Sequence, residues 1–330
     1  MKKPANNGNP PANALSVHLS SNRFAKYKKT LILLTMVLPV SIWLIVRCYL
    51  PMVGLVIAFK DYKVFPKDPT FWGSLKNSRW MGLEKFEFMF RTPDFLVAIR
   101  NTVLYNIVFI ILGIIIPVAF AIMMNELTHK FVPKAYQTLM FFPFFLSWVV
   151  VSYFLNAFIG AQYGLLTAAQ KAAGEPVTNW YTTPGPWPYI LVGAKMWKDV
   201  GYTTMLYLAA ITGIDTTQYE AAAIDGAGKW QQILHVTLPN LRTMIAILFI
   251  MNVGKIFNAD FGLFWNVPMN NGALMNVTNV VDTYIYRVFS VTQDIGMSSA
   301  AGLLQNVAAF VCIVTANGIV KKIDEESSMF

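Results

Sequence analysis

Two apolar stretches of this chain carry residues able to hold a polar solute. Lys195, Lys198, Asp199 and Tyr202 interrupt one run, and Asn252, Lys255, Asn258 and Asp260 interrupt the next. Ionisable groups at membrane depth are costly and face a cavity or a partner. A hydroxyl-rich ligand needs donors and acceptors beside aromatic faces, which these residue types supply. Tyr202 follows Lys198 by four residues, and Lys255 follows Asn252 by three, so each pair shares a helical face. Two readings are open. These groups touch solute, or Lys198 and Asp199 pair with each other or a neighbouring helix, and Lys255 pairs with Asp260 or with a partner subunit's carboxylate. Lysines left unpaired on the path would favour an acidic solute. Gln305 and Asn306 add amides to the last apolar run.

Other chemistries are excluded. Gly226-Ala227-Gly228-Lys229 ends like a phosphate-binding loop, but Ala223 stands at its first glycine and Trp230 at its hydroxyl position. The chain is therefore expected to bind no ATP and no cofactor. His18, His129 and His235 are scattered, so no metal site is expected, and there is no HExxH or Cys/His set for a membrane-embedded enzyme. Cys48 and Cys312 lie in different apolar runs and are read as packing residues.

These side chains need a membrane scaffold. Hydrophobic residues make up 55% of the 330 and charged ones 13%, against roughly 25% charged in soluble domains. The net charge of +9 flanks apolar runs rather than forming one face, which suits a lipid bilayer and not nucleic acid. Six stretches can cross the hydrocarbon: about 31–58, 97–124, 135–159, 189–211, 241–262 and 296–320. The expected fold is all-α and polytopic with six transmembrane helices. A Pro/Asn/Ser-rich tail, 1–30, is expected to be disordered and cytoplasmic. Arg23, Lys26, Lys28 and Lys29 mark the inner flank of the first span, placing both termini in the cytoplasm. Segments 60–95, 160–188 and 263–294 then lie outside, with a short helix around Val280–Val288. The small residues Gly296 to Gly302 allow close helix packing.

The segment 212–240 is moderately polar and helix-like. Glu220 to Ile224 form a short helix with an alanine face, Gly226 can take the left-handed turn that ends it, and a second amphipathic turn runs through Trp230, Ile233, Leu234 and Leu238. Pro239 marks the start of the next span. Too polar for lipid and too apolar to be only a solvated loop, this bracket suits protein docking; the alternative is an ordinary interhelical loop of good helix propensity.

The run YEAAAIDGAGKWQQILHVTLP (219–239) resembles the EAA loop of binding-protein-dependent ABC importers, with Glu220, Ala221, Ala222, Asp225, Gly226, Ala227, Leu238 and Pro239 fitting its pattern. The resemblance extends over nearly all of 31–330. PMVGLVIAFKDY (51–62), RNTVLYN (100–106), FFPFFLSWVVVSY (141–153), VVDTYIYR (280–287) and GMSSAAGLLQN (296–306) look like the saccharide-permease branch. The chain is most similar there to permeases for polysaccharide-derived oligosaccharides. The resemblance implies a multi-pass permease of the bacterial plasma membrane. Its partners would be a second homologous permease, two ABC ATPase subunits that hold ATP and Mg, and an extracytoplasmic solute-binding protein delivering an oligosaccharide. It implies that the bracket is the coupling helix against the ATPase, contacted through Glu220. It also implies solute contacts on the fourth and fifth helices, at positions matching Lys198, Asp199, Tyr202, Asn252, Lys255 and Ile256. The same machine carrying glycerol phosphate or a peptide is the alternative. A passive channel is disfavoured, since it has no use for a coupling loop.

Overall fold

A computed structural model of the chain describes residues 23–127 and 132–323. The described residues divide into two compact units between Gly54 and Leu55. In the first, α1 (Arg23–Leu44) continues through one π-turn, Ile45–Tyr49. A 3-10 stretch, Leu50–Phe59, then leads into the second unit. Thr30–Phe59 forms one apolar span of mean hydropathy 2.3. The expected disordered tail falls mostly on residues outside the described set, but its last residues, from Arg23, are helical. Arg, Ala and Lys are good helix formers and prolong the span's helix beyond the hydrocarbon.

In the second unit, strands β1 (Lys60–Asp61) and β2 (Arg79–Trp80) pair antiparallel, a small departure from the all-α expectation. Around them lie α2 (Phe71–Asn77) and α3 (Glu84–Arg91), with Thr70 capping α2 by accepting from the Gly73 amide. The long α4 (Pro93–Asn125) follows, then α5 (Val132–Phe141), α6 (Trp148–Ile159), α7 (Leu165–Ala172) and α8 (Trp187–Thr212). Next come α9 (Thr216–Ile224), α10 (Lys229–Gln232), α11 (Leu238–Val253), α12 (Phe261–Asn266), α13 (Met275–Thr278), α14 (Val281–Ser290) and α15 (Ile295–Ile323).

Three apolar clusters fix the helix directions. Tyr105 of α4 packs with Trp187 and Leu191 of α8. Farther along both helices, Val118 and Ala121 meet Tyr207 and Ile211 together with Leu241, near the start of α11. Thus α4 and α8 run side by side in the same direction and α11 runs against them. Phe95 and Ala98 pack with Val281 and Tyr284 of α14 and with Ala300 and Ala301 of α15. The two alanines are fully buried, as close packing through small residues requires.

Among the described residues, four helices are long and apolar enough to cross a membrane, and a bent pair makes a fifth. Three differences from the expected spans have local causes. The third is not straight: Ala135–Phe145 and Trp148–Ile159 meet at 100°. Pro143 has no amide to continue the ladder, and Ser147 caps α6 by accepting from the Val150 amide. The fourth, α8, spans 26 residues but contains Lys195, Lys198 and Asp199, which keep it out of the apolar set. The fifth was expected at 241–262; its helix instead runs from Lys229 to Val253. Pro239 does not open it. A π-turn, Ile233–Thr237, widens the ladder just before the proline, and the Leu238 amide donates to the Ile233 carbonyl.

Helices α5 and α8 touch at backbone level. A Cβ on Gly201 would fall 1.8 Å from the Met140 carbonyl oxygen. Gly201→Ala should therefore cost about 1–3 kcal/mol by overpacking. A lower melting temperature of the purified protein in detergent is the expected result, and an unchanged one would show that the contact is open.

Candidate functional site

Helices α4, α8 and α11 and the loop after α11 enclose a cavity of about 630 Å³. Its polar wall is Asn106, Lys195, Asp199, Tyr202, Thr203, Asn252, Lys255, Asn258 and Asp260. Five of the seven residues expected on the solute path are therefore brought together: Asp199, Tyr202, Asn252, Lys255 and Asn258.

The other two are placed elsewhere. Lys198 turns away and donates to the Phe144 carbonyl at 2.6 Å. Its ammonium lies 5.2 Å from the Phe144 ring centroid and 5.5 Å from that of Trp148, a cation held on aromatic faces. Ile256 contributes its carbonyl oxygen, which accepts from Asn106 Nδ2 at 2.9 Å.

The expected pairings also change. Adjacent residues on a helix point apart, whereas those four apart meet. Hence Lys195, not Lys198, pairs with Asp199, at 2.7 Å. Lys195 also reaches Asp260, at 2.9 Å, and Trp148 Nε1 donates to the same Asp260 oxygen at 2.9 Å. Lys255 is exposed and has no ion-pair partner among the described residues.

Helix α11 ends at Gly254, so Lys255, Ile256, Asn258 and Asp260 belong to the following loop rather than to a fifth span. This loop is tied on several sides. Asn106 Nδ2 reaches the Ile256 and Asn258 carbonyls, and the Ala259 amide donates to Asp282 Oδ2 at 2.7 Å. Gln305 Nε2 donates to the Phe257 carbonyl at 2.7 Å and to Asp282. Asp260 also caps α12 by accepting from the Leu263 amide. Tyr202 stacks on Phe144 with centroids 4.7 Å apart and planes at 12°, so the break in the third span backs the cavity's aromatic face.

Asn106, Trp148 and Asp282 escaped the sequence reading. Asn106 and Asp282 lie in motifs noted only for resemblance. Trp148 meets its partner across 112 residues, a relation with no local signal.

The bracket is exposed. Asp215 caps α9 by accepting from the Thr217 amide at 2.9 Å. That bond and a side-chain bond from Thr217 hold its carboxyl below the usual value. The cap therefore contributes above the ordinary carboxylate range and is lost as pH falls through the lowered value. Gly226 has φ +82°, and the Ala227 amide closes back on the Ala222 carbonyl at 2.9 Å, which fits the expected left-handed end. Glu220, Ala221, Asp225, Gly226 and Pro239 are exposed, and Ala222, Ala227 and Leu238 half-buried. Ile224 is 87% and Trp230 71% exposed, large apolar groups with nothing over them among the described residues. Tyr219 Oη and Thr237 Oγ1, 3.0 Å apart, join α9 to the rod formed by α10 and α11. Lys229 pairs with Glu126, just past α4, at 3.1 Å. His235 is exposed.

Residues 113–316, which hold α8, the bracket and α11, match the family described as binding-protein-dependent transport system inner membrane component. The chain belongs to that family. It is 31% identical over 305 residues, 92% of each chain, to Protein LplB of Bacillus subtilis (strain 168). It is 30% identical over 291 residues, 88% of each, to the polygalacturonan/rhamnogalacturonan transport system permease protein YteP of the same organism. A crystal structure of a bacterial alginate ABC transporter, in complex with an alginate pentasaccharide-bound periplasmic protein, superposes with a TM-score of 0.80 at 29% identity. That match covers 91% of this chain and 97% of the other. This permease is accordingly a multi-pass component of an ABC transport system in the inner membrane, and not an enzyme.

The cavity lysines should differ in reactivity. With an amine-acylating reagent on the purified permease, Lys255 should be modified first, while Lys195 and Lys198 stay protected by their partners. Peptide mass spectrometry reads each site; equal modification of Lys195 and Lys255 would contradict the pairing.

Proposed function

We propose that this permease moves an oligosaccharide into the cytoplasm, delivered by an extracytoplasmic solute-binding protein and driven by ATP hydrolysis on separate subunits. The observation that carries this reading is the continuity of the bracket with the cavity. The second half of the bracket and the cavity wall at Leu248, Met251 and Asn252 belong to one helical rod, Lys229–Val253, and α9 is tied to it through Tyr219 and Thr237, so force applied at one end arrives at the other.

In this reading the chain crosses the membrane six times, counting α8 and the bent α5–α6 pair, and both termini are cytoplasmic. The bracket docks on an ABC ATPase through Glu220, Ile224 and Trp230. Two ATPase subunits hold ATP and Mg, while this chain binds neither. A second, homologous permease completes the path, so that the cavity faces its counterpart across the interface. ATPase closure draws the brackets together and switches the path between inward and outward access; hydrolysis resets it.

The lining supports a sugar. Tyr202 offers an aromatic face, and Asn106, Asn252 and Asn258 offer amides. Lys195 is balanced by two carboxylates, so Lys255 is the cation available for a solute carboxylate. An acidic oligosaccharide fits this arrangement, and relatives named for polygalacturonan and alginate agree with it.

Glu220→Lys should leave the complex in the membrane but abolish uptake and ATPase stimulation; normal uptake with normal assembly would remove the coupling role. Tyr202→Ala or Asn252→Ala should each weaken solute dependence. A lost hydrogen bond in a dry cavity costs about 1–3 kcal/mol, or roughly five- to two-hundred-fold in half-saturation. Basal hydrolysis and complex yield should not change. Lys255→Ala should penalise uronate-containing oligosaccharides more than neutral ones in the same uptake assay, and an equal penalty would make the charge preference wrong.

A further inference from the structure

Lys195 has one ammonium and two carboxylates, and the two belong to different elements. Asp199 lies one turn along the same helix, at 2.7 Å, and Asp260 lies on the loop that ends the coupling rod, at 2.9 Å. The first bond is internal to α8. The second ties α8 to the rod.

We propose that Lys195, Asp199 and Asp260 form an exchangeable latch between α8 and the rod, engaged in one access state and released in the other. The proposal rests on the transport reading above and adds the groups that let the wall move.

Separating a buried ion pair normally strands a charge, and that cost locks the elements together. Here the cost is reduced on both sides. When the tie opens, Lys195 keeps Asp199, which travels with it because both are on α8. Asp260 keeps the Trp148 indole N–H, at 2.9 Å, and the Leu263 amide, at 3.3 Å. Neither group loses its last partner, so closed and open forms are both satisfied, as a two-state element requires.

The joint sits beside an apolar contact, Leu263 and Phe264 of α12 packing with Trp187 and Leu191 of α8, about which the loop can pivot. The loop's other ties, from Asn106, Asp282 and Gln305, are held through backbone groups of Ile256, Phe257, Asn258 and Ala259. These fix its shape. On the other side, α8 is joined to α5 through the closed Gly201–Met140 approach and to the third-span break through Lys198 and Phe144. The Lys195–Asp260 pair thus joins a firm loop to a firm helix pair. Asp199 and Asp260 are positioning residues: Asp199 keeps the ammonium on release, and Asp260 shares it on engagement.

The test measures the separation directly, with the assembled permease pair and ATPases and no need of the solute. In a background of Cys48→Ala and Cys312→Ala, Met196→Cys and Asn258→Cys place spin labels on the two cavity-lining elements. Their distance should differ between nucleotide-free and ATP-trapped complexes. Asp260→Asn should abolish that difference and raise basal ATP hydrolysis without binding protein, about tenfold for loss of a charge-assisted tie. Asp260→Glu should restore both. Asp199→Asn, which removes the acceptor needed for release, should instead hold the short distance and lower maximal hydrolysis with half-saturation unchanged. A distance that is the same in both nucleotide states overturns the latch. So does a matched loss of yield, melting temperature and hydrolysis in both aspartate variants without rescue by Asp260→Glu. A separate crosslink from Glu220→Cys to the ATPase distinguishes the levels. Its absence overturns the transport reading and the latch together, whereas its presence beside an invariant distance overturns the latch alone.

Discussion

On the six-span reading the ammoniums of α8 lie at membrane depth and have to be neutralised, and that requirement arranges the middle of this permease. Lys195 is satisfied by Asp199 and Asp260, and Lys198 by a carbonyl and two aromatic faces. Each solution recruits a different element. The first fixes the loop after α11, and the second fixes the break between α5 and α6. Replacing such pairs by apolar groups often costs little stability, so their presence is better explained by the polar cavity they border than by folding.

In the proposed coupling, the rod transmits what happens at its exposed end. Its 25 residues span about 37 Å at 1.5 Å per residue, the thickness of a bilayer core with part of its headgroup region. A proline within the first part of such a helix would ordinarily kink it. The π-turn before Pro239 takes up the missing hydrogen bond and preserves continuity. A lever of this length needs no relay of side chains between the bracket and the cavity.

Much of this was legible in the chain. The apolar runs, the Gly226 turn, the small-residue packing of α15 and the polar cluster on α8 follow from spacing and residue type. What was missed has physical causes. The break in the third span needed Pro143 and Ser147 to be read together as a stop and a cap, and the apolar run masked them. The end of the fifth span was placed too late because Ile256, Phe257, Ala259 and Phe261 are apolar enough to extend it, although Gly254 is where the helix ends. The identity of Lys195 as the shared cation depended on Asp260, 65 residues away, and long-range partners leave no periodic trace.

The charges of α8 also bear on how the protein is made. A lysine or aspartate at the centre of an inserting helix costs about 2.5–3.5 kcal/mol, and α8 leaves the ribosome before Asp260 exists. Its internal Lys195–Asp199 pair is available from the start, because a residue and its fourth neighbour meet as soon as the helix forms. On the six-span reading, nascent α8 therefore carries its own counter-ion into the bilayer. Asp260, arriving later, docks onto a helix already in place.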